Sequence, residues 1–184
     1  MKLFKLMIAL LLFTTLAGKI YAQKEKTVEV GGAPMYPSKD IVDNAVNSKD
    51  HTTLVAAVKA AGLVETLKGN GPFTVFAPIN NAFDKLPKGT VDNLLKPENK
   101  EMLTKVLTYH VVPGRLDSKE LSSLIKAGGG KAELTTVEGE KLWIMKAGPK
   151  FTLKDAKGNM AAVTIKDVYQ KNGVIHVIDT VVMP

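Results

Sequence analysis

The last thirteen residues, Asn172-Gly-Val-Ile-His-Val-Ile-Asp-Thr-Val-Val-Met-Pro184, constrain the fold more than any other stretch. Seven of the eleven residues after Asn172-Gly173 are β-branched. Side chains alternate across a strand, so one face carries Val174, His176, Ile178, Thr180 and Val182. The other carries Ile175, Val177, Asp179, Val181 and Met183. A strand that is apolar on both faces is covered on both. The stretch is therefore expected to be a central strand, entered through a turn at Asn172-Gly173, two residues that tolerate positive φ.

The beginning of the chain reads differently. Lys2 and Lys5 precede an apolar run from Leu6 to Leu12, and Ala22 offers a small residue before a cut at Gln23. That pattern is an export leader over residues 1–22, too short in its apolar part for a comfortable membrane span. The sequence contains no cysteine and no Asn-x-Ser/Thr acceptor, which fits a periplasm or bacterial exterior and a fold held by packing. The product is expected to be secreted or periplasmic, and peripheral to a membrane at most. The formal net charge is +7, but Arg115 is the only arginine and lysines are interspersed with carboxylates. Nucleic-acid readers lean on arginine for bidentate contacts, so no nucleic-acid partner is expected.

Residues 23–37 are polar, with Gly31-Gly32 and two prolines, and read as a flexible lead; residues 38–184 read as one domain. Helical spacing appears after Ser38, which is expected to cap the first helix, again from Asp50 or Thr52 to Gly62, and over Leu63 to Leu67. Phe73 to Ala77 reads as a strand. Short helices follow near Asn80, after Thr90 and from Pro97 into Tyr109-His110, then from Ser118 to Ile125. Period-two segments follow at 131–137, 142–147, 151–154 and 161–168. Helices first and an antiparallel meander after them make an α+β order, with the early strand joining the sheet from a distance.

His51, His110 and His176 are the only histidines, and none has the spacing of a metal ligand set. His176 sits on the expected core strand, where a ring nitrogen can donate to a backbone carbonyl. Tyr109-His110 reads as a buried pair satisfying loop carbonyls or, functionally, as a recognition pair at the surface. Nucleophile elbows and phosphate-binding glycine loops do not occur, so no enzyme, cofactor or metal is expected. Trp143 lies in an apolar run long enough to leave some ring exposed. With Met102, Met145, Met160 and Met183 it outlines an apolar groove, against the plainer reading of core filling.

Three segments together resemble the fasciclin-like domain family: Gly71-Pro-Phe-Thr-Val-Phe-Ala-Pro-Ile-Asn-Asn-Ala-Phe83, Tyr109-His-Val-Val-Pro-Gly114 and the closing box 172–184. The resemblance covers residues 38–184. It implies an α+β domain with a β-wedge of mostly antiparallel strands and a cluster of N-terminal helices. Thr74, Phe76, Pro78, Asn80, Phe83, Asn172, Gly173, His176 and Asp179 are its structural motif residues. It further implies a non-enzymatic adhesion or interaction module that binds a cell-surface or matrix glycan or protein. The binding residues it points to are Tyr109, His110 and the pair Asp167-Val168, which stands where animal relatives have Asp-Ile; Trp143 joins them as the exposed aromatic. Ile79 stands where the family usually has Thr, leaving Asn80 to cap the short helix. Carotenoid binding by some algal relatives implies an alternative, a soluble carrier of a carotenoid or lipid.

Overall fold

The computed structural model describes residues 25–184; the leader expected at 1–22 lies outside the described residues. A hairpin of β1 (Val28–Val30) and β2 (Ala33–Met35) comes first. Three helices follow, α1 (Ile41–Ala45), α2 (Thr52–Ala61) and α3 (Val64–Lys68), then β3 (Phe73–Pro78). Next come α4 (Asn80–Asp84), α5 (Thr90–Leu94), α6 (Lys100–Tyr109), β4 (Val111–Pro113) and α7 (Ser118–Ala127). The chain closes with a run of strands: β5 (Lys131–Thr135), β6 (Lys141–Ala147), β7 (Lys150–Lys154), β8 (Met160–Gln170) and β9 (Gly173–Ile178).

β3 to β9 form one sheet in the order β4-β3-β9-β8-β7-β6-β5. Within it β9 runs parallel to β3, with Thr74 opposite Val174 and Phe76 opposite His176, whereas the other pairs are antiparallel. The Val137 amide donates to the Val111 carbonyl at 2.8 Å, so the turn beyond β5 meets β4 and the sheet curls into a wedge. Helices precede the meander and β9 is a buried inner strand, so the α+β expectation holds.

The alternation of β9 divides the interior in two. Ile175 and Val177 face one core with Val75, Ala77, Val168, and the inner faces of α1, α2 and α6. Ile178 and the following Val182 face the other, with Phe76, Tyr109, Leu142, Ile144 and Leu153, and α7 covers it through Leu121 and Ile125. On α2 the buried residues Leu54, Ala57, Val58 and Ala61 fall at helical spacing, and Gly62 ends the helix in the left-handed region.

Several local expectations are corrected. The stretch expected to be a flexible lead contains the β1–β2 hairpin, and its Val30 and Met35 are buried in the helical core. Alternate residues of two three-residue strands suffice to cover that core. β9 stops at Ile178 because Asp179 takes over the ladder: its carboxylate accepts the Ala162 amide at 2.8 Å while its own amide donates to the Ala162 carbonyl. Val181 and Val182 beyond it stay buried. Helix α1 is capped by Asp40, not Ser38, and α5 starts from Gly89, with Thr90 inside the helix. Asn80 does not cap its own helix; its amide oxygen accepts the Thr53 amide at 3.1 Å and its nitrogen donates to the Lys49 carbonyl at 2.8 Å, serving the start of α2 instead.

The β8–β9 turn is also built differently. Gly173 is the first residue of β9, and its φ is not positive. A β-carbon there would collide with the Phe73 carbonyl, so glycine is required by the close approach of β3. Asn172 is buried, and its oxygen accepts the Ile41 amide at 3.0 Å. Its nitrogen donates to the carbonyls of Leu67 at 2.8 Å and Gly69 at 2.9 Å, and its own carbonyl accepts the Phe73 amide. One side chain thus joins the start of α1 and the end of α3 to the sheet. Asn172→Ala orphans these groups, each worth about 1–3 kcal/mol when buried. We expect it to lower the unfolding free energy by roughly 3 kcal/mol in urea titrations; a loss within ~0.5 kcal/mol would disprove the role.

Candidate interaction surfaces

Tyr109 and His110 end helix α6 with their side chains turned inward, and both are buried. The Tyr109 hydroxyl donates to the Lys141 carbonyl at 2.7 Å and accepts the Ala156 amide at 3.1 Å. Burial holds this phenol above its ordinary pKa. His110 Nδ1 faces the Val106 carbonyl at 2.7 Å and Nε2 faces the Val182 amide at 3.3 Å. The carbonyl can only accept and the amide can only donate, so the ring is neutral with its proton on Nδ1. Burial drives its pKa from 6.5 down to about 4. The pair therefore does the structural job and is not displayed at the surface.

His176 has the opposite tautomer. Its Nε2 donates to the Leu116 carbonyl at 2.8 Å, its Nδ1 accepts the Asp167 amide at 3.4 Å, and its ring stacks on Phe76. Asp167 lies at a bulge of β8 with φ +60°. Its carboxylate accepts the amide and the hydroxyl of Ser118 at the start of α7, and Val168 is buried. The Asp167-Val168 pair thus ties α7 to the sheet. His51 is buried with Nδ1 at 2.9 Å from the Ser48 hydroxyl, and its Nε2 has no partner. The three histidines stand at three separate places: before α2, at the end of α6 and on β9. Thr74 links the Gly114 carbonyl and the Leu116 amide, Phe83 packs between core clusters, and Pro78 ends β3 opposite Ile178.

Trp143 lies on the outer face of the sheet. The register aligns Glu133, Trp143, Lys154 and Met160 across β5 to β8, and beside them Lys131, Met145, Thr152 and Ala162. Trp143 is half-buried, and its indole N–H donates to Glu133 at 3.2 Å. Lys141 pairs with the same carboxylate at 3.1 Å and, with the indole, holds it below the usual pKa. The Lys131 ammonium sits 5.9 Å from the Trp143 ring centre. An oriented aromatic is thereby surrounded by lysines and by two methionines, one of which, Met160, is exposed. The single groove expected from the methionines does not form: Met102 and Met183 border a separate depression near α5.

A cavity of about 260 Å³, absent from the sequence reading, lies between α1, α2, α3 and α6. Val42, Val46, Val55, Val64 and Leu67 surround it toward the outside, and Phe76 and His110 line its inner end. Its wall is almost entirely apolar, with Asp43, Lys59 and Lys68 as the charged residues. The signal was present in the chain: valines at 42, 46 and 55 fall outside the core-facing stripes of two helices, and such surplus apolar positions need cover.

Comparison with known proteins places these features. The Fasciclin domain family model matches residues 49–184. Protein sll1483 of Synechocystis sp. is 47% identical over 162 residues, 87% of this chain and 82% of that protein. The transforming growth factor-beta-induced protein ig-h3 of Sus scrofa is 34% identical over 148 residues, 80% of this chain but 20% of its own length. A solved FAS1 domain pair from the insect cell adhesion molecule Fasciclin I superposes with a TM-score of 0.71 at 16% identity, covering 88% of this chain and 59% of that one.

The histidine geometry dictates a pH dependence. The folded pKa of His110 is depressed, so the unfolded chain binds the proton first. Its contribution is complete above pH 6.5 and is lost as pH falls toward about 4. The full shift is worth on the order of 3 kcal/mol. Burial lowers His51 and His176 in the same direction. Urea midpoints should therefore drop between pH 7 and pH 4, and less steeply in His110→Gln. Parallel curves for the two proteins would contradict the assignment.

Proposed function

The chain belongs to the fasciclin domain family, and from that premise we propose that it is an exported, non-catalytic interaction module that binds cell-surface or matrix components, acidic glycans foremost. The observation that carries this reading is the outer sheet face, where Trp143 is oriented by Glu133 and flanked by Lys131, Lys141 and Lys154. An aromatic ring offers a flat apolar platform to a sugar ring, and lysines offer charge to uronate or sulfate. The leader pattern at 1–22 supports export. The histidines, the residues best suited to acid–base work near neutral pH, are each built into the frame. The FAS1 domain pair of similar fold comes from an insect cell adhesion molecule, which is in keeping with this reading.

The test is binding to immobilised acidic and neutral polysaccharides and matrix proteins at physiological salt. We expect retention on acidic polymers that weakens with added salt, and at least a tenfold loss of affinity in Trp143→Ala with the fold intact. Failure to bind across the whole panel would sink the proposal.

The cavity favours a second reading, a carrier of an apolar ligand such as a lipid or carotenoid. Native mass spectrometry after incubation with a carotenoid, a retinoid and fatty acids tests it; a bare protein in every case removes it.

A further inference from the structure

We propose that the cavity beneath α1, α2 and α3 is a site for one unbranched acyl chain of medium length, with its anionic head group at Lys59. The proposal rests on the carrier reading and narrows it to a ligand class. Three features of the cavity lead there.

Volume sets the length. An apolar cavity of about 150 Å³ accepts benzene, so 260 Å³ accommodates roughly ten carbon atoms. On the same scale a C40 polyene needs ~1000 Å³, about four times this volume, so most of it would lie outside. The polarity of the inner end sets the chemistry. His110 is the polar residue there, and both its ring nitrogens are already engaged, by Val106 and Val182. The inner end therefore offers nothing to a hydroxyl or carbonyl on the buried part of a ligand, and a polar group placed there would lose its hydrogen bonds. A plain hydrocarbon tail fits.

The charges at the cavity set the head group. Lys68 is held by Asp43 at 2.8 Å, whereas Lys59 makes no ion pair among the described residues. Lys59 lies on α2 one residue after the buried Val58 and is itself exposed, so its ammonium can meet a carboxylate or phosphate in water while the tail lies inside. Val46, which follows the last residue of α1, is 48% exposed, a surface position where an apolar side chain gains from a tail passing over it. Asp43, Val46, Lys59 and Lys68 line the cavity and are exposed, so it meets solvent along this rim and a tail can enter without unfolding the sheet.

The experiment is native mass spectrometry and calorimetry on delipidated protein with decanoate, decanol, stearate and a carotenoid. We expect a one-to-one decanoate complex and weaker binding of stearate. Lys59→Glu should weaken decanoate at least tenfold and leave decanol within about twofold. Val55→Phe, which fills the cavity, should abolish both without lowering the melting temperature. Lys59 is exposed, so its variant remains informative if the filled variant does not fold. A carotenoid complex without a decanoate complex overturns the acyl assignment and keeps the carrier reading. Absence of every complex overturns both. Equal loss of decanoate and decanol in Lys59→Glu overturns the head-group assignment, and unchanged binding in a folded Val55→Phe overturns the location.

Discussion

The parallel contact between β3 and β9 is the constraint on which the rest of the structure depends. It brings together segments about a hundred positions apart in the chain, and it does so closely enough that Gly173 has no room for a side chain against the Phe73 carbonyl. Closing so long a loop carries a large entropic cost, and a parallel pair has no hairpin to nucleate it. Burial on both faces of β9 offsets that cost, and Asn172 adds three hydrogen bonds that lock α1 and α3 onto the same junction.

Two cores follow from one two-faced strand, and each leaves its own kind of outer surface. The helical side is covered by short elements, a hairpin of three-residue strands and helices of one to three turns. Short elements meet at few points, and a cavity survives between them. The wedge side is walled by the antiparallel ladder of β5 to β8, with α7 against it, and that ladder presents a regular face to solvent. The irregular side offers enclosure and the regular side offers a platform, so an apolar tail and a charged polymer would meet the same domain in different places.

The polar residues of the family motifs are mostly spent on holding this arrangement. Tyr109 joins α6 to β6 and to the β7–β8 turn, His110 joins α6 to the terminal segment, and His176 with Asp167 joins β9 to α7. Each bridges groups that would otherwise be buried without partners. Burial raises the Asp179 pKa, but the Ala162 amide, the Thr180 hydroxyl and Lys85 together hold it below the ordinary value. That carboxylate ends the central strand, a task invisible in a list of motif residues.

What the sequence determined by itself was the class and the centre of the fold. Period-two segments after helical ones specify α+β, and a β-branched run with no polar face specifies an inner strand, because local periodicity is a property of the chain alone. Its turn residues were legible too, but not the reasons for them: Gly173 serves a neighbouring carbonyl and Asn80 serves another helix, partners that exist only once distant segments meet. The same holds for Val30 and Met35, which read as part of a loose lead until a core stands ready to receive them. Tertiary structure alone decided that Tyr109 and His110 point inward, that Trp143 faces water among lysines, and that a cavity lies behind α1. Those outcomes depend on which faces of which elements meet and how completely they fill the space between them; surplus valines at 42, 46 and 55 signal an apolar patch, but not that it borders a cavity.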